Sequence, residues 1–176
     1  MMAIQRTSFV QNEYENTSEW ESVTEYSDQL YGYLSTPRIL QDLEAANVPG
    51  ANSKEVQDIL LHRANQLGFK DESQGLFASY ERQLRPDFYL PVLDTGIIIE
   101  VERGKTNQNN MDFLDFWKCH ICESAHYLFL FVPNILIQNT SGKIAGRPYN
   151  KVIQNFSPFF EVKNYTNVRG VVIFGY

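Results

Sequence analysis

The chain has 176 residues, 43% of them hydrophobic and 20% charged, enough for one domain that buries a core without disulfides or a structural metal. Its longest apolar run near the middle, residues 127–132, is far too short to span a membrane, and the first ten residues hold no stretch of signal-peptide length, so a soluble cytoplasmic protein is expected. The net charge of −6 argues at first sight against a nucleic-acid partner.

The distribution of charge changes that argument. Residues 1–30 carry six acids against Arg6 alone, a net of −5, whereas residues 137–176 carry five bases against Glu161, a net of +4. The acidity is thus largely N-terminal and the last quarter is basic, which leaves DNA open as a partner.

Taken in chain order, residues 1–24 are polar and acidic with scattered aromatics, and read as a mobile arm or a strip docked on the body. A short helix is compatible with residues 25–34. Thr36-Pro37 reads as the N-cap and first turn of a helix reaching about Ala46. Ser53 is expected to cap a third helix over residues 54–67, where Val56, Ile59, Leu60 and Ala64 recur at helical spacing and Gly68 closes it. Strands are then expected over residues 75–83, 87–92 and 97–103, with Leu93-Asp94-Thr95-Gly96 as a turn. A helix follows over residues 107–123, with Met111, Leu114, Trp117 and Ile121 as its apolar face. Residues 125–132 (AHYLFLFV) form a continuous apolar run suited to a buried parallel strand. A last helix from Arg147-Pro148 to about Phe156 and a last buried strand over 170–176 complete an α/β order with a mixed central sheet flanked by helices. The expected organisation is an acidic N-terminal segment, residues 1–30, and a single domain, residues 31–176.

One constellation carries chemistry. Pro86-Asp87 is followed thirteen residues later by Glu100-Val101-Glu102. On a strand Glu100 and Glu102 share one face while Ile97, Ile99 and Val101 take the other. Two acids at i and i+2 repel unless a cation lies between them. The competing reading is a solvated strand face with a surface ion pair worth ~0–1 kcal/mol. Against it stands Ile97-Ile98-Ile99, apolar on both faces as in a central strand, at whose end open α/β folds place their sites.

Pro86-Asp87 followed by Glu100-x-Glu102 after an apolar strand resembles the PD-(D/E)xK nuclease motif of the restriction-endonuclease-like superfamily. The resemblance covers about twenty residues directly, and the order of elements extends it across residues 53–132. It implies a restriction-endonuclease-like fold and a Mg²⁺-dependent endonuclease, with Mn²⁺ as a substitute, that hydrolyses DNA and is sequence-specific in the manner of a type II restriction enzyme. Asp87, Glu100 and the Val101 carbonyl would hold the metal. Glu102 stands where the motif usually has lysine and would be a third ligand or activate the attacking water, with Lys105 or Arg103 on the scissile phosphate. Glu55 is the candidate for an acid contributed by the preceding helix, although a helix N-terminal acid favoured by the dipole explains it as well.

Cleaving both strands of a duplex symmetrically implies a homodimer. For DNA contacts the polar stretch 134–155, with Lys143, Arg147 and Lys151, is the first place to look and the segment beginning at Asn107 the second. Two other functional classes compete: a non-catalytic nuclease-fold module that binds nucleic acid or protein, and a metal-dependent enzyme on a small substrate. Cys119-His120-Ile121-Cys122 lacks a second pair at zinc spacing and falls near a helix end, so buried, reduced cysteines are expected. His126 enters an apolar strand, as core histidines do, and no nucleophile motif accompanies it.

Overall fold

The computed structural model describes residues 3–50, 52–71, 77, 79–80, 84–103, 110–138, 140–162 and 164–176. It is an α/β fold with a six-stranded mixed sheet between two helical layers. The helices are α1 (Ser18–Leu34), α2 (Pro37–Ala46), α3 (Ser53–Gln66), α4 (Met111–Ile121) and α5 (Pro148–Phe156). The sheet comprises β1 (Gln5–Val10), β2 (Lys70–Asp71), β3 (Phe88–Val92), β4 (Thr95–Val101), β5 (Tyr127–Val132) and β8 (Gly170–Gly175). Its spatial order is β1-β8-β5-β4-β3-β2. A separate two-stranded hairpin joins β6 (Leu136–Ile137) to β7 (Ile144–Gly146).

Strands β4, β5 and β8 run parallel at the centre, and β1, β2 and β3 pair antiparallel around them. All three parallel strands are buried along their whole length, as strands covered on both faces must be. Alternation divides their side chains between two cores. Ile97, Ile99, Val101, Phe129, Phe131 and Phe174 pack with α1, α2 and α3. Ile98, Leu128, Leu130, Val171 and Ile173 pack with α4 and α5. Glu100 therefore faces the α4/α5 layer, because it lies two residues from Ile98.

The N-terminal segment is built into this frame. Strand β1 pairs with β8 over all six of its residues, and the expected boundary at residue 30 falls inside α1. Helix α1 starts seven residues earlier than the apolar pattern suggests, at Ser18, capped by Thr17, whose hydroxyl accepts the Trp20 N–H at 3.2 Å. Helix α3 is capped by Asn52, which accepts from Lys54 N at 2.9 Å, and not by Ser53. Of the strand expected over residues 75–83, only Phe77, Ser79 and Tyr80 are described, and they are in turns and bends. Among the described residues no helix is long and apolar enough to cross a membrane.

Helix α4 shows its other side to the sheet. Asp112, Asp115, Phe116, Lys118 and Cys119 are buried, while Trp117 is 56% and Ile121 43% exposed. The face expected to be apolar points outward, because three charged residues occupy the inward one.

Candidate active site

Strands β3 and β4 pair so that Phe88 lies opposite Ile99, which sets Asp87 across from Glu100 one step further along. Here β3 begins, and the Asp87 carboxylate takes the next rung of the ladder: its Oδ2 accepts the Val101 N–H at 2.8 Å. The N–H and C=O of one strand residue point to the same neighbour, so the Val101 carbonyl projects to the Asp87 side of β4. Glu102 continues toward β5, its N–H donating to the Phe131 carbonyl at 2.8 Å.

The helix above contributes two residues that the sequence reading missed. Lys118 Nζ lies 2.9 Å from Glu100 Oε2 and 3.0 Å from Asp115 Oδ1. All three side chains are enclosed: Glu100 is 3% exposed, Asp115 0% and Lys118 8%. Asp115 and Lys118 are three residues apart on α4 and so project together over the end of β4. A second pair secures α4 to α5, with Asn155 Nδ2 donating to Asp112 Oδ2 at 2.6 Å.

Glu100 and Asp115 thus contact one ammonium group directly, and the half-buried Asp87 and Glu102 add their charges to the same cluster. Burial pushes the Glu100 carboxyl well above its ordinary value, the Asp115 charge adds to the shift, and Lys118 opposes it. Glu102 is pushed up to about 8, first by burial and then by Asp115. Asp115 rises to about 6 through burial, against the pull of Lys118. Lys118 is held above its ordinary value by Glu100 and Asp115 despite its burial. Glu100, Glu102 and Asp115 are all shifted upward, so the cluster as a whole holds protons above the ordinary carboxylate range, which lowers the charge that one lysine must neutralise.

The donor chemistry suits a hard divalent cation. Asp87 and Glu100 supply carboxylate oxygens, and the buried Glu100 Oε1 has no hydrogen-bond partner. Together with the Val101 carbonyl they make a partial set of the kind Mg²⁺ completes with water. Among the described residues no three His, Cys, Asp or Glu side chains form a group arranged to hold a metal ion. What stands ready is two acids and a carbonyl.

The remaining candidates fall in several places. Lys105 and Asn107 lie outside the described residues. Arg103 is 9% exposed and does not reach the surface expected for a nucleic-acid contact; its Nη2 donates to the Val48 carbonyl and to Asn47 Oδ1, tying the end of β4 to the end of α2. Glu55 is exposed in the first turn of α3, a helix of the layer across the sheet from Glu100. Lys143, Arg147 and Lys151 are exposed on the β6–β7 hairpin and α5, in the same layer as α4.

Cys119 and Cys122 are free and buried. His126 Nδ1 pairs with Thr95 Oγ1 at 2.7 Å, and its backbone N–H donates to the same hydroxyl at 3.1 Å, so these two groups are satisfied, but the residue is half-buried and not in the core as expected. Compared with protein-family models and with curated proteins, the chain matches none.

Proposed function

We propose that the protein is a Mg²⁺-dependent DNA endonuclease on a restriction-endonuclease-like fold. The observation that carries the reading is the buried Glu100 and Asp115 on Lys118, with half-buried Asp87 and Glu102 beside them, at the carboxyl end of a central parallel strand. A purely structural role explains such a cluster poorly, since apolar residues of similar volume fill a core at no electrostatic cost. Asp87, Glu100 and the Val101 carbonyl would hold the ion. When bound, it would polarise a phosphate oxygen and lower the pKa of a water.

The chain's own residues take the other parts. Lys118 is the cation that the strand motif lacks at Glu102: it approaches Glu100 from the helix and is placed to hold the attacking water or the scissile phosphate. Asp115 fixes the ammonium group from the same helix. Glu102 orients water beside Glu100. Exposed cations on α5 and the adjoining hairpin would contact the DNA backbone.

The test is incubation of the purified protein with plasmid and phage DNA, with Mg²⁺ and with EDTA. Mg²⁺-dependent cutting that is lost in Asp87→Asn and Lys118→Ala is expected, with discrete bands if the enzyme is sequence-specific. Cutting unchanged in either variant would remove the site as drawn. The absence of a ready group of three acidic ligands favours a second reading, a non-catalytic nuclease-fold module. DNA binding with no cutting in Mg²⁺ or Mn²⁺ would select it.

A further inference from the structure

The carboxyl edge of the sheet carries a second feature beside the acidic cluster: an open cleft of about 500 Å³, within the ~300–1,000 Å³ of small-ligand sites. Tyr176, at the end of β8, joins the two. It lines the cleft, and its hydroxyl donates to the Glu102 carbonyl at 2.8 Å. Asn47 adds a second link, as it lines the cleft and accepts from Arg103 at the end of β4.

Four exposed polar side chains around this cleft have no side-chain partner among the described residues. Gln5 of β1, Glu44 of α2, Arg147 at the start of α5 and Asn150 in its first turn all line it. None makes a side-chain hydrogen bond or ion pair with another described residue. Asn134 is half committed: its Nδ2 donates to the Ala3 carbonyl at 3.1 Å, while its buried Oδ1 has no hydrogen-bond partner among the described residues. Ile135 and Ile137 supply the apolar surface. A carboxylate acceptor, two amides, a guanidinium and a flat apolar wall match the edge and face of a nucleobase. The charges also orient it. Glu44 would repel a phosphate but accepts from a ring N–H or an exocyclic amine, so the base belongs on the α2 side. Arg147, the exposed cation of the cleft, suits the phosphate.

We propose that this cleft receives one unpaired nucleotide of the strand being cut, with its base against Gln5, Glu44 and Asn150 and its phosphate toward Arg147. The inference rests on the nuclease reading and narrows it: the substrate presents an unpaired or extruded nucleotide at the cut, and an undistorted duplex leaves the cleft empty.

The test separates the two readings by working in EDTA. Each deoxynucleoside 5′-monophosphate, and inorganic phosphate alone, is titrated into ¹⁵N-labelled protein while the side-chain amides of Gln5 and Asn150 are followed. Saturable shifts are expected with at least one nucleotide, with affinity reduced about tenfold in Arg147→Ala and about fivefold in Asn150→Ala, the scale of one charged and one neutral hydrogen bond. Lys54→Ala, on exposed α3, is the control and should bind as the wild type does. Circular dichroism checks that each variant folds.

Shifts reproduced at equal affinity by phosphate alone would show only an anion site and overturn the proposal. So would the absence of saturable shifts, or shifts insensitive to both cleft variants. Mg²⁺-dependent cutting without nucleotide binding would leave the nuclease reading standing and remove the cleft. Nucleotide binding in a protein that cuts no DNA would retain the cleft as a nucleotide site and remove the nuclease reading.

Discussion

Replacing Lys118 with methionine tests the acidic cluster most directly, because Lys118→Met keeps the length of the side chain and deletes only its charge. The ammonium group lies 2.9 Å from Glu100 and 3.0 Å from Asp115, both of them buried acids. At an effective dielectric of ~20 each attraction is worth a few kcal/mol, largely offset by desolvation. Removing one partner is not offset in that way: two carboxylates remain enclosed without a counter-charge, which costs about 3–5 kcal/mol. For a chain of this size each kcal/mol moves the melting temperature by ~2–4 °C, so a fall of roughly 6–20 °C is expected.

The loss should also depend on pH. Without the ammonium group, Glu100 and Asp115 hold their protons to higher pH, so the variant is closer to the wild type at about pH 5 than at about pH 8. If the site takes a divalent cation, about 10 mM Mg²⁺ should raise the variant's melting temperature more than the wild type's, by mass action on the folded state. Scanning calorimetry of both proteins at the two pH values, with and without Mg²⁺, reads all of this. A variant within about 2 °C of the wild type at both pH values would show that no buried ion pair exists here.

The same cluster sets the pH dependence of the wild type in EDTA. The Glu102 carboxyl rises from 4.5 to about 8 and that of Asp115 from 3.8 to about 6. The folded state therefore binds more protons than the unfolded one, and the contribution of these groups falls as pH rises from the unfolded values toward about 8. Urea titrations should show Glu102→Gln gaining on the wild type across that window; a wild type that gains instead would contradict the shift. Gly96→Ala would place a methyl group 2.7 Å from the Ser124 carbonyl, 2.8 Å from the Leu90 carbonyl and 2.5 Å from the Tyr89 ring. Two of these neighbours are backbone, so a loss of about 1–3 kcal/mol or more is expected in denaturant unfolding, and a neutral result would mean that β3 and β4 pair differently. Burial raises both cysteine thiols, so Ellman's reagent should react with neither in the native state and with both in urea. Rapid native labelling would reopen a redox role.

The buried strands were legible from sequence because their signal is local. Ile97-Ile98-Ile99 and the run at residues 127–132 are apolar on both faces, and only a central strand tolerates that. Alternation then placed Glu100 and Glu102 on one face correctly, and pairing with β3 brought Asp87 to the same edge. Strand β1 was not legible. QRTSFV is a polar edge strand whose partner lies some 160 residues away, and its pairing with β8 leaves no periodic mark in the first ten residues.

Helix α4 shows the limit of pattern reading most clearly. Met111, Leu114, Trp117 and Ile121 give a clean apolar stripe, and hydrophobicity alone sends that stripe to the core. The fold instead buries Asp112, Asp115 and Lys118, which a hydrophobic count scores as surface. The available signal was electrostatic: Glu100 on β4 and Glu102 just past its end required a cation nearby, and the next helix offered Lys118 beside the apolar pair Phe116 and Cys119. Asking which residue neutralises Glu100 would have turned the helix the right way round. The exposed stripe of Trp117 and Ile121 is then the cost of turning the charged face inward, where Lys118 and Asp115 meet Glu100 at the end of β4.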